Sequence, residues 1–161
     1  VPLNILVING PNLNLLGMRE PARYGHVSLE ALQQKLLSQV ENRAINLSFF
    51  QSNHEGALID HLQQTTNNHI DFILINAASL THTSIGLRDA LLAMQIPFIE
   101  IHMTNIYARE VFRHHSYLSD IAVGVITGFG IASYELALEA AILHLNRQEA
   151  PLGSPTVALT E

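Results

Sequence analysis

No cysteine occurs in this chain. Disulfide staples, thiol catalysis and thiolate metal sites are thereby excluded together, and the expected compartment is the reducing cytoplasm. Lysine is nearly absent too: Lys35 is the only one, and it falls in the middle of the first expected helix, away from any strand end. Schiff-base chemistry needs a reactive amine, so an imine mechanism is disfavoured. No run of about twenty apolar residues is present for a membrane helix. The first residues lead straight into a strand-like run, without the basic, apolar and small-residue order of a signal peptide. His-Glu-x-x-His does not occur and the nine histidines are scattered, which argues against a catalytic metal. Basic residues are outnumbered, eight Lys and Arg against fourteen Asp and Glu, giving a formal charge of −6. That balance argues against a nucleic-acid or anionic-membrane surface and leaves room for a small anion in a local basic pocket.

What is present is apolar and evenly spread. With 48% apolar residues in 161, the chain is long enough to bury a substantial core, and residues 1–148 are expected to form one catalytic domain. The tail 149–161, with two prolines, one glycine and no helical period, stands apart from it.

Short apolar runs alternate with helical patterns. Strands are expected at Leu3–Asn9, Ile45–Gln51, Asp71–Asn76, Pro97–Ile101 and Ala122–Ile126. Helices are expected over Leu29–Arg43 with Ser28 as N-cap, from the Asn53–Gly56 turn to Asn67, over Thr81–Gln95, Ile106–His114 and Ile131–Asn146. Nearly all-apolar strands separated by helices indicate a parallel sheet covered on both faces. The fold class is α/β, a flavodoxin-like three-layer sandwich with a five-stranded parallel sheet. Ligands of such sheets sit beyond the carboxyl ends of the strands, so the segments after strands 1, 3 and 4 should converge.

Those segments hold the unusual residues. After strand 1 comes an eighteen-residue loop, Gly10–Val27, with Asn12, Arg19, Arg23 and Tyr24. A tyrosine with a reference pKa of about 10 is only ~0.1% phenolate at pH 7, and neighbouring guanidinium charges favour the phenolate; Tyr24 is a candidate base. After strand 3, residues 76–84 are small and polar, a backbone-rich cradle for hydroxyls or an anion. At the end of strand 4, Glu100 and His102 share a face by period-two alternation, and a carboxylate beside an imidazole fixes its tautomer. Arg109 and Arg113, four apart, would share a helix face as a fork for a carboxylate. Gly128-Phe129-Gly130 nearly matches a dinucleotide fingerprint, but it lacks the third glycine and follows the last strand; a tight strand-to-helix turn explains it better.

Together the motifs resemble the type II 3-dehydroquinate dehydratase family, over about Leu3 to Asn146. The resemblance rests on GPNLNLLGMREPARYG at 10–25, QSNHEG at 51–56, NAASLTHTS at 76–84, LRDAL at 87–91, EIHMTN at 100–105 and AREVFRHHS at 108–116. It implies an anti elimination of water from 3-dehydroquinate through an enolate, giving 3-dehydroshikimate, as in the shikimate and quinate pathways, with no cofactor. Tyr24 would take the C2 proton, Arg19 would favour its phenolate, and Asn12 would hold a water at the enolate oxygen. His102, oriented by Glu100, would protonate the departing C1 hydroxyl. Asn76, His82 and Arg113 would place substrate, the amides of Met103 and Thr104 would complete the carboxylate site, and Asp89 would enter from a neighbouring subunit of a dodecamer built from trimers. Two positions depart from the family's usual pattern, Leu80 for an aromatic residue and Thr104 for a serine.

Other classes fit less well. A phosphoacceptor receiver domain needs acidic residues after strand 1, an aspartate ending strand 3 and a lysine ending strand 5; Asn9 and Asn76 stand at the first two and the lysine is missing. An FMN carrier wants a short hydroxyl-rich loop after strand 1. A flavodoxin-like ligand-binding domain and an inactive homologue remain the alternatives.

Overall fold

The computed structural model describes residues 1–148; the 149–161 tail lies outside the described residues. Five strands, β1 (Leu3–Asn9), β2 (Ile45–Gln51), β3 (Phe72–Asn76), β4 (Phe98–His102) and β5 (Gly124–Thr127), form one sheet in the order β2-β1-β3-β4-β5. Every pairing is parallel. The α/β three-layer reading therefore holds, with β3 at the centre and the chain reversing its direction of winding between β1 and β3.

Alternation along each strand sorts the core into two halves. Ile5, Val7, Phe72, Leu74, Ile99 and Ile101 join α2 (Leu29–Gln39) and α5 (Ala132–Gln148) on one face. Leu6, Ile8, Ile73, Ile75 and Phe98 join α3 (Glu55–Gln64) and α4 (Ile85–Met94) on the other. β1 and β3 each carry five consecutive buried residues, as strands covered on both faces must.

Several boundaries move for local reasons. The first long helix stops at Gln39 instead of Arg43, and Asn42 just beyond it takes a left-handed φ of 62°, a conformation asparagine tolerates. Ser28 caps it as expected, its hydroxyl accepting from the Ala31 N–H. The helix expected over Thr81–Gln95 starts only at Ile85, as α4, after a 3-10 turn over Ala78–His82. The helix expected over 106–114 does not form. Two 3-10 turns, Ile106–Ala108 and Val111–Arg113, are separated by extended backbone at Arg109 and Glu110. The long loop after β1 contains a one-turn helix of its own, α1 (Pro21–Tyr24), with proline in its first turn.

Candidate active site

Asn9 and Asn76 are partners in register at the carboxyl ends of β1 and β3, which is where the chain diverges and a crevice opens. Gly10 continues from Asn9 and donates its N–H to the Asn76 carbonyl at 2.8 Å. A Cβ at Gly10 would lie 2.4 Å from the Ala77 carbonyl oxygen, so only glycine permits these two loops to leave the sheet side by side. The start of the β1 loop is braced from β2: Gln51 donates to the Gly10 carbonyl and to Asn53, whose Oδ1 accepts the Asn12 N–H at 2.9 Å. Asn12 itself sits in the left-handed region at φ 70°.

The cleft beyond these ends is lined by Asn12, Arg19 and Tyr24 from the β1 loop, Asn76 and His82 from the β3 segment, and His102, Met103, Thr104 and Arg113 from β4 and its successor, with Pro11, Leu13, Ala78, Ser79, Ile106 and Arg109 between them. Nine of the eleven residues singled out in the sequence thus meet in one cavity. Glu100 lies beneath it, and Asp89 is exposed on α4, outside the lining of its own chain's cleft.

Tyr24 is half-buried against the α2–α5 core. Two guanidinium groups lie over its ring, Arg19 at 5.2 Å and Arg109 at 5.7 Å from the centroid, close enough for each cation to interact with the ring electrostatically. Arg23, adjacent in sequence, instead borders the shallower neighbouring cleft with Asn105, Gly128 and Gly130. The second cation on the tyrosine is therefore Arg109, and the Arg109–Arg113 fork of the sequence reading is not formed. Arg109 also donates from Nη1 to the Thr104 hydroxyl at 3.3 Å, while its buried Nε has no partner among the described residues. Arg113 pairs through Nε with Glu110.

Glu100 and His102 share a face, as alternation requires, and lie on the α3–α4 side of the sheet with Phe98. Glu100 is wholly buried. Its Oε2 meets His102 Nε2 at 2.6 Å, and its Oε1 accepts the hydroxyls of Ser116 at 2.7 Å and Ser119 at 2.9 Å. Ser116 Oγ already accepts from the N–H groups of Leu118 and Ser119, so its single proton is committed to the carboxylate. Burial alone would raise the Glu100 carboxyl, but the bonds from His102, Ser116 and Ser119 outweigh it and hold the group below the ordinary carboxylate range. An ionised Glu100 only accepts, so Nε2 of His102 carries hydrogen and Nδ1 is the remaining ring nitrogen.

His82 is fixed in the opposite sense. Its Nδ1 lies 2.8 Å from the His115 carbonyl, which can only accept, so Nδ1 is protonated and Nε2 is left. Its ring stacks on His102 at 6.0 Å. Burial pushes the His82 imidazole below its usual value, helped by the charges of His102 and Arg113 and opposed by the His115 bond and Glu100. At neutral pH His82 therefore offers a lone pair.

Three supporting groups were given no role by the sequence reading, although Ser116 and Arg88 fall within the quoted motifs at 108–116 and 87–91. Ser116 and Ser119 hold Glu100 from sixteen and nineteen residues away, and Arg88 of α4 anchors their segment through the Tyr117 carbonyl at 2.9 Å and Asp120. Glu55 of the QSNHEG motif accepts from Ser84, the N-cap of α4, at 2.6 Å. The Gly128–Gly130 turn packs on the end of β4, the two glycine N–H groups donating to the carbonyls of His102 and Met103; it is a strand-to-helix turn, as expected. Among the described residues, no group of three His, Cys, Asp or Glu is placed to hold a metal ion, and no helix is long and apolar enough to cross a membrane.

Residues 3–142 match the family described as Dehydroquinase class II. The chain is 57% identical over 138 residues to a 3-dehydroquinate dehydratase of Acinetobacter baumannii (strain AYE), covering 86% of this chain and 91% of that protein. Identity rises to 59%, over 86% and 93%, with a 3-dehydroquinate dehydratase of Acinetobacter baylyi. The crystal structure of a type II dehydroquinase from Butyrivibrio crossotus superposes with a TM-score of 0.85 at 41% identity, covering 88% of this chain and 98% of that one. Motif order, sheet topology and likeness to solved relatives all agree, and the chain belongs to the class II dehydroquinase family.

Proposed function

We propose that this chain is a hydro-lyase that removes water from 3-dehydroquinate by anti elimination through an enolate, giving 3-dehydroshikimate. The observation that carries the reading is that Tyr24, with the Arg19 and Arg109 guanidinium groups over its ring, lines the same cleft as the Glu100-oriented His102.

The steps follow from the donors and acceptors available. The Tyr24 phenolate, with Arg19 and Arg109 supplying opposite charge, takes the C2 proton, and its electron pair passes into the C3 carbonyl as an enolate. Asn12 holds a water against that oxygen. Collapse of the enolate forms the C1–C2 double bond and breaks the C1–O bond, while His102 gives a proton to the departing hydroxyl, which leaves as water. Asn76 and His82 contact substrate hydroxyls, the latter as acceptor through Nε2. Arg113, with the amides of Met103 and Thr104, receives the carboxylate. No nitrogen nucleophile is needed, consistent with the lone Lys35 lying on α2.

We read the working form as a dodecamer of trimers in the cytoplasm, in which Asp89 reaches the cleft of a neighbour; its exposure on α4, off its own cleft, supports that reading. The test of function is appearance of the conjugated enone by ultraviolet absorbance on adding 3-dehydroquinate. Absence of turnover by well-folded protein refutes the activity, and covalent trapping by borohydride refutes the enolate route. Sedimentation at a mass other than twelve chains refutes the assembly.

A further inference from the structure

Tyr134 of α5 is completely buried and lies outside the lining of the cleft, yet its hydroxyl stands between the two asparagines that end β1 and β3. The hydrogen bonds there can be ordered from one end. The Ala78 N–H can only donate, and it does so to Asn76 Oδ1 at 3.1 Å. The opposite end of that amide is therefore Nδ2, which donates to the Tyr134 hydroxyl at 2.9 Å. Having accepted one hydrogen, the tyrosine gives its own to Asn9 Oδ1 at 2.6 Å. Asn9 Nδ2 is buried and has no partner among the described residues, so Asn9 enters the network as an acceptor alone. Burial also lifts the Tyr134 hydroxyl far above an ordinary tyrosine, which keeps its proton in place.

The consequence falls on Asn76. An amide has two N–H hydrogens and two carbonyl lone pairs; here one of each is consumed behind the cleft. The same Oδ1 bond secures Ala78, which holds a left-handed φ of 52° in the cradle after β3. A half-turn of the Asn76 amide would exchange its oxygen and nitrogen, and among the described residues the Nδ2 end is held by Tyr134 alone.

We propose that Tyr134 is a positioning residue for substrate recognition: from the α2–α5 face of the sheet, and directed by Asn9, it fixes the Asn76 amide so that the second Nδ2 hydrogen is presented to a substrate oxygen in the cleft. The proposal rests on the assignment of Asn76 to substrate contact made above. Tyr134 touches no reacting atom, so its effect passes through binding.

The test compares wild type, Tyr134→Phe, Asn76→Ala and the double variant by steady-state kinetics with 3-dehydroquinate. Tyr134→Phe is expected to raise KM about tenfold with kcat within about threefold, and to add less than about twofold to the KM of Asn76→Ala. Loss of folded enzyme alone would lower kcat and leave KM as it was, so an unchanged KM in Tyr134→Phe overturns the proposal. Independent, multiplying effects in the double variant overturn it as well. If Asn76→Ala itself leaves KM unchanged, the assignment of Asn76 fails and the proposal with it, whereas a defective Asn76→Ala beside a silent Tyr134→Phe removes only the role of Tyr134. Should Tyr134→Phe not fold, the near-isosteric Asn9→Leu takes its place under the same criteria, since it removes the acceptor that directs the tyrosine proton.

Discussion

Ser119→Ala is the sharpest test of the buried acid pair, because among the described residues the Ser119 hydroxyl has Glu100 as its only partner, while Ser116 also caps two backbone N–H groups. Glu100 is fully buried, and a hydrogen bond to a charged group contributes about 1.5–3 kcal/mol. Oε1 keeps its 2.7 Å bond from Ser116, which places the expected cost at the lower end, about 1.5 kcal/mol at pH 7. With a typical urea dependence this moves the unfolding midpoint down by about 1 M. The pH dependence has a definite sign. The folded carboxyl lies below its unfolded value, so the stability it contributes is complete above the unfolded carboxyl pKa and is lost as the pH falls through the folded one. Removing one stabilising donor brings the folded value closer to the unfolded value. The gap between wild type and Ser119→Ala is therefore constant from pH 8 down to the ordinary carboxylate range and narrows in stronger acid. Urea titrations at a series of pH values measure it, with Ser119→Thr as the variant that restores the hydroxyl. Stability within 0.5 kcal/mol of wild type at pH 7, as for a typical surface change, or a gap that does not narrow in acid, would refute the charge-holding role of this serine.

Gly10→Ala forces a Cβ to within 2.4 Å of the Ala77 carbonyl oxygen; overpacking of that kind costs about 1–3 kcal/mol, and urea unfolding should show it together with a fall in kcat/KM larger than the loss of folded protein. Unchanged stability would mean that the two loops part more easily than their contact suggests. Tyr24→Phe should keep the fold and product binding and lose about 10²- to 10⁴-fold in kcat, the range for a removed general base; turnover within tenfold of wild type removes Tyr24 from that role. Arg109→Ala takes away one of the two cations on the Tyr24 ring and the donor to Thr104, and should lower kcat more than it raises KM, whereas a pure KM effect would place Arg109 on the substrate carboxylate. Arg113→Ala should do the reverse, raising KM with kcat less affected, and binding left untouched would show that the carboxylate sits elsewhere.

The fold was legible because its signals are local and repeated: five apolar runs, each followed by a helix-length pattern, leave few arrangements besides a parallel sheet. The strand-end residues Asn76, Glu100 and His102 were legible for the same reason, since alternation alone decides which of them share a face. What failed were inferences that carried sequence neighbourhood into space. Arg23 stands next to Tyr24 in the chain, but both lie in the short α1 helix, where successive side chains are about 100° apart, so Arg23 turns to the adjacent cleft and the place over the ring goes to Arg109 from eighty-five residues on. The spacing of Arg109 and Arg113 presumed a helix. Extended backbone at Glu110 breaks it, and Val111 and Phe112 are left exposed, so no apolar stripe holds that segment in register. Ser116, Ser119 and Arg88 act through tertiary contacts; the first and last stand inside quoted motifs, but spacing alone does not say what they hold, and Ser119 lies outside every motif.

The division of the core bears on why the proposed base must come from a loop. Glu100 and His102 point to the α3–α4 side of the sheet, whereas Asn76 points to the α2–α5 side toward Tyr134. Side chains on the two faces are kept apart by the sheet along the strands, and Asn76 and His102, at the carboxyl ends of β3 and β4, can touch one ligand because the cleft lies beyond those ends. An anti elimination needs its base and acid on opposite sides of the substrate ring, and groups fixed to neighbouring strands approach it from the sheet alone. The acid can be rigid, set in β4 with its carboxylate beneath it. The base has to be carried over the other side, and the long connection after β1, tied to β2 through Asn53 and seated on the core by Leu13 and Leu16, is the segment with the reach to bring Tyr24 there.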